Sequence, residues 1–141
     1  MRLEHLCDFE LRYDEHGLGM VAPFDGGEGQ GFGSGVGEVT GDALTGPVRW
    51  ANYPRRREDG VLMPDVRGVI ATAEGPVLFT MRGYSVATGQ PRRRQVASSV
   101  TFRAEAPSHR WLNDVIAVHE GFIDFDTMAG HFPAYVCLPD G

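Results

Sequence analysis

The chain has 141 residues, 42% of them apolar and 23% charged, and a net charge of −6. That length and balance suit one globular domain spanning 1–141, with enough residues for a real core, and they exclude a disordered chain. The negative charge argues against a nucleic-acid partner, and no apolar run approaches a membrane span.

All thirteen basic residues are arginine. The absence of lysine excludes Schiff-base chemistry, a pyridoxal phosphate linkage and the phosphate-binding P-loop. Two cysteines, Cys7 and Cys137, lie near the two ends, and nothing before them reads as a signal peptide. Reduced thiols in the cytoplasm are the expectation.

Residues 3–13 alternate cleanly. Leu3, His5, Cys7, Phe9, Leu11 and Tyr13 share one face, which predicts a half-buried strand with His5 pointing inward. Residues 25–41 are glycine-rich, with glycine at alternate positions from 27 to 37. They read either as a flexible surface loop leading into a strand or as backbone that passes close to a ligand or another strand. No dinucleotide fingerprint fits there.

Further strands are expected over 43–53, 62–73, 77–87, 96–105, 114–124 and 132–138. Gly46-Pro47, Asp59-Gly60, Glu74-Gly75-Pro76, Gly89-Gln-Pro91 and Ala106-Pro107 separate them. No segment holds a helical period over three turns, although 107–113 allows a short helical turn. About eight or more strands with tight turns and little helix predict an all-β fold, a single antiparallel barrel.

The hairpin within 63–84 carries a charged pair. Asp65, Arg67, Val69 and Ala71 alternate onto one side, and Val66, Gly68, Ile70 and Thr72 onto the other. Inside a barrel, Asp65 and Arg67 would have to compensate one another and would mark a working site; outside, they are an ordinary ion pair. Trp50 and Asn52 share a face, as do Thr80, Arg82 and Tyr84, then Ser99, Thr101 and Arg103, then Trp111, Asn113, Val115, Ala117 and His119. Aromatic walls with a few amide, guanidinium and phenol groups are what a small-molecule pocket needs.

Metal and hydrolase signatures are missing. The five histidines form neither His-x-His nor H-E-x-x-H, so no metal site is expected. Gly83-Tyr-Ser-Val-Ala87 falls one residue short of a nucleophile elbow. Arg55–Arg57 and Arg92–Arg94 read as solvated edge residues, with an anion contact as the alternative.

Several motifs point to a family. They are Gly37-Glu-Val-Thr-Gly-Asp-Ala-Leu-Thr-Gly46, Trp50, Asp59-Gly60, Pro64-Asp65, Gly68-Val-Ile-x-Thr72, and Phe102 followed by Arg110-Trp-Leu-Asn113. Over roughly 35–137 the chain resembles the DUF3237 (UPF0311) family. The resemblance implies a small antiparallel β-barrel and assigns no activity.

Convergence of these residues in one pocket would suit a small cofactor-independent enzyme of secondary or aromatic/steroid-type metabolism. It would perform isomerase, cyclase or hydratase-like acid/base chemistry on an apolar, carbonyl-containing molecule. Asp65 would be the acid or base, with Arg67 or Arg103 stabilising an enolate and Tyr84 or Asn113 donating a hydrogen bond. Trp50 and Trp111 would sandwich the ligand, with Asn52 and His119 lining the site. The alternatives are a lipocalin-like binder without chemistry and a filled barrel used for interaction. A homodimer is expected in each case.

Overall fold

A computed structural model describes residues 1–140. Eleven strands form one antiparallel sheet: β1 (Arg2–Tyr13), β2 (Gly19–Val21), β3 (Gly29–Thr40), β4 (Gly46–Asn52), β5 (Arg55–Arg56), β6 (Leu62–Met63), β7 (Asp65–Thr72), β8 (Gly75–Ala87), β9 (Arg93–Ala104), β10 (Ala117–Asp124) and β11 (Ala129–Leu138). Eight of them close into a barrel in the order β1-β11-β10-β9-β8-β7-β4-β3, and β3 returns to β1. Closure removes the exposed sheet edges that would otherwise invite aggregation. The short strands β2, β5 and β6 extend the wall at one end, joining β3 and β8.

The expected all-β barrel is the fold. The helical expectation at 107–113 becomes a 3₁₀ turn over Arg110–Asp114, and a second 3₁₀ turn covers Glu15–Gly17. Among the described residues no helix is long and apolar enough to cross a membrane.

Two local features shift the expected faces. A bulge in β1 between His5 and Cys7 puts both Leu6 and Cys7 in the core. His5 is therefore outward, where its Nε2 meets the Asp8 carboxylate at 2.7 Å. That hydrogen bond, joined by one from His131, holds the Asp8 carboxyl below its ordinary value. The glycine-rich stretch is a short loop leading into a strand: 25–28 are a turn, and residues 29–40 form β3, packed between β1 and β4. A Cβ on Gly35 would sit 2.7 Å from Trp50 Cζ2 and collide with the Arg12 carbonyl. Glycine there lets the tryptophan ring and the neighbouring strand approach the backbone closely.

The core follows the alternation. Phe9, Ile70, Val77, Phe79, Phe102 and Leu112 fill one end of the barrel, all at most 3% exposed. Phe9 and Phe79 meet edge to face at 5.2 Å. The 3₁₀ turn plugs this end with Leu112. Asn113 locks the turn in place: its Oδ1 accepts from Ala104 N at 2.8 Å and its Nδ2 donates to Ala104 O at 2.7 Å. Cys7 and Cys137 are free thiols. Burial, reinforced by the Asp8 charge, pushes the Cys7 thiol up to about 12, which makes it inert.

Candidate functional site

The opposite end of the barrel is hollow. A cavity of about 360 Å³ lies inside it, walled by β1, β3, β4 and β7–β11, by β2 and β6 of the extension, and by Pro54 just before β5. Small inward residues create the space: Gly33, Ser85 and Ser98 occupy positions that bulky residues take at the closed end. Gly33 has a second role, since a Cβ there would lie 2.6 Å from Tyr13 Cε1 and 2.9 Å from Leu18 Cδ2. Leu18, Met20 and Phe32, each exposed by more than 40%, form the rim.

One wall is aromatic. Tyr13 meets Trp50 edge to face at 4.6 Å and stacks on Phe125 at 5.9 Å. Trp50 Nε1 donates to the Val36 carbonyl at 3.0 Å, so the tryptophan offers the cavity only its ring. Asn52 ties this wall to the next strand. Its Oδ1 accepts from Asp65 N at 3.0 Å, and its Nδ2 donates to the Tyr13 hydroxyl at 3.1 Å. The amide orientation is fixed because the Asp65 N–H can only donate. Burial raises the Tyr13 phenol above its usual range, and the Asn52 bond partly offsets that rise.

The facing wall is polar in three places. His119 and Ser98 are opposed directly across β10 and β9, and Ser85 lies on the adjoining β8. His119 is 5% exposed, and neither ring nitrogen has a hydrogen-bond partner. Its ring packs on Phe132 at 5.0 Å. Burial lowers the imidazole pKa to about 4, so His119 is neutral at physiological pH. Ser85 Oγ accepts from Arg94 Nε at 2.9 Å, while Arg94 Nη2 donates to Ser85 O and Gly60 O. Among the described residues no aspartate, glutamate or arginine lines the cavity.

Three of the expected site residues, Trp50, Asn52 and His119, line this cavity together. The other six do not. Asp65 and Arg67 are on the outward face of β7, where Asp65 meets Arg67 at 3.5 Å and Arg82 at 3.4 Å. The apolar face of that strand is the one carrying Val66 and Ile70. Tyr84, 56% exposed, and Arg103 are likewise outward, because β8 and β9 turn Phe79, Met81, Val100 and Phe102 inward. Trp111 is 42% exposed, and Asn113 is committed to Ala104. Strand alternation does not apply to either residue, since 110–114 is a 3₁₀ turn.

Tyr13, Ser85 and Ser98 were missed as cavity residues although the sequence carries a signal for the serines. Val77, Phe79 and Met81 on β8, and Val96, Val100 and Phe102 on β9, mark apolar faces that Ser85 and Ser98 interrupt. The arginine triplets lie at strand ends and on the surface, none of them fully buried. Arg92 pairs with Asp126 at 2.8 Å, Arg93 lies over the Phe122 ring at 4.2 Å, and Arg57 pairs with Asp59 at 2.6 Å. Among the described residues no three His, Cys, Asp or Glu side chains are grouped to hold a metal.

No family model and no curated protein matches the chain. Solved structures do match its fold. A β-barrel-like protein from Acinetobacter baumannii superposes with a TM-score of 0.81 at 19% identity, over 96% of this chain and 94% of that one. A conserved protein of unknown function from Rhodopseudomonas palustris gives 0.82 at 15% identity, over 98% and 99%. An enzyme from Penicillium herquei gives 0.67 at 19% identity, over 94% and 93%. At these identities the likeness is one of fold.

Proposed function

We propose that this barrel handles an uncharged, mostly apolar small molecule in its hollow end. The observation that carries this is His119, an imidazole 5% exposed with both nitrogens unpartnered, inside a largely apolar cavity of about 360 Å³. Leaving buried polar atoms unpaired costs about 1–3 kcal/mol each, and a ligand with a polar group would offset that cost. The absence of charged lining argues for a neutral ligand, since a buried ion would have no counter-charge. The motif resemblance supports placing the chain in the DUF3237 family, and two free thiols suit a cytoplasmic setting.

A second reading is enzymatic. A neutral imidazole with an open lone pair and an open N–H is competent as base and donor, so acid/base chemistry would centre on His119 rather than Asp65. The Penicillium herquei neighbour, described as an enzyme, supports keeping this reading. A thermal-shift screen against neutral ketones, phenols, lactones and steroids, with mass spectrometry of every hit, tests both. A stabilising compound recovered unchanged supports a binder, and one recovered as an isomer or dehydration product supports an enzyme. Stabilisation only by charged compounds would overturn the proposal.

A further inference from the structure

Two hydroxyls in the cavity each already accept a hydrogen bond from the protein. Tyr13 OH already accepts from Asn52 Nδ2, whose orientation is fixed by the Asp65 N–H. Ser85 Oγ accepts from Arg94 Nε, and that guanidinium is held by two further bonds to Ser85 O and Gly60 O. A hydroxyl has one proton to give. Among the described residues neither of these protons has an acceptor in the protein, and both residues line the cavity.

We propose that Tyr13 and Ser85 are oriented hydroxyl donors that select a ligand bearing a carbonyl or a comparable neutral acceptor. This rests on the hollow end being a ligand site and adds the polarity of its occupant. Asn52 and Arg94 are positioning residues: each donates to one lone pair of a hydroxyl oxygen and so turns its proton toward another acceptor. A donor bond from a charged guanidinium also polarises the Ser85 O–H, making it the stronger donor of the two. A ligand with no acceptor atom could still meet the unpartnered His119 but would leave both hydroxyl protons unpaired. Such a molecule binds more weakly than its carbonyl analogue, by about fivefold for each hydroxyl bond forgone.

The test uses 2-acetonaphthone and 2-ethylnaphthalene, which share a ring system and differ by a carbonyl oxygen. Each competes against the neutral dye N-phenyl-1-naphthylamine bound to the full chain. The quantity read is the ratio of the two dissociation constants, compared across wild type, Tyr13→Phe and Ser85→Ala, so that partitioning from water cancels. Each substitution is expected to reduce the ketone preference by about fivefold without changing hydrocarbon affinity, as expected for one lost hydrogen bond. Both variants keep the packing: phenylalanine retains the Tyr13 ring contacts, and Arg94 keeps its two carbonyl acceptors. A ratio unchanged in both variants, or a ketone unable to displace bound dye, overturns the donor assignment alone. Failure of the dye to bind wild-type protein overturns the ligand-site reading and this assignment together.

Discussion

The closed and open ends of the barrel share the same strands and the same in–out alternation, but only one is filled. At the closed end Phe9, Phe79, Phe102 and Leu112 meet in the middle. At the open end Gly33, Ser85 and Ser98 face inward from the same or neighbouring strands, and the space between them stays empty. Strand geometry thus builds a wall, while side-chain volume decides whether it surrounds a core or a cavity. On the function proposed above, the division also separates stability from ligand handling. The filled end holds the barrel together, and the hollow end keeps buried polar groups that packing alone would not favour.

Truncation at the filled end gives the largest expected effect. Phe79→Ala should destabilise the protein by about 3–5 kcal/mol in urea unfolding, through lost burial and a new cavity. A loss below about 1 kcal/mol would mean that the closed end is not the main source of stability.

The next effect is pH-dependent and belongs to the hollow end. His119 takes its proton near 6.5 when unfolded and near 4 when folded. Between those values the unfolded chain binds more protons, so stability falls as pH drops, by something on the order of 3 kcal/mol across the window. Asp8, depressed below its ordinary value, loses its contribution at lower pH than that window. His119→Leu should flatten the slope between pH 6.5 and 4 and leave stability at pH 7 equal or higher. An unchanged slope would show that His119 is not buried neutral.

Asn113→Ala should cost about 1–3 kcal/mol, because it leaves both Ala104 backbone groups unpaired under the plug. It should leave dye binding at the far end intact, and a joint loss of stability and binding would show that the two ends are coupled. The smallest effect is expected from Asp65→Asn. Its partners Arg67 and Arg82 are more than half exposed, so stability should change by less than about 1 kcal/mol and ligand binding not at all. Loss of binding in that variant would return Asp65 to the site.

The barrel was legible in the sequence because alternation and turn residues are local signals. Trp50, Asn52 and His119 were found because each falls on a strand whose inward face is set by its own neighbours. Asp65 and Arg67 were drawn in by charge chemistry, although Val66 and Ile70 on the alternate positions are the more apolar set and mark the other face as the interior. Trp111 and Asn113 were assigned by carrying strand parity across a 3₁₀ turn, where it does not hold. Tyr13 is a different case. Its role depends on Asn52 from β4 and on the Asp65 N–H from β7, and no local pattern encodes a bond between strands so distant in sequence. The bulge that turned His5 outward is similarly set by pairing with β11.

The most direct test of a hollow, ligand-accepting end is a titration with N-phenyl-1-naphthylamine in wild type and in Ser98→Phe. Ser98 faces the cavity opposite His119, and a phenylalanine ring there would occupy the space a ligand needs. Saturable one-to-one binding to wild type, abolished in Ser98→Phe at an unchanged melting temperature, is the predicted result. Equal binding by the two proteins would contradict it and would mean that the dye, and any ligand like it, sits elsewhere.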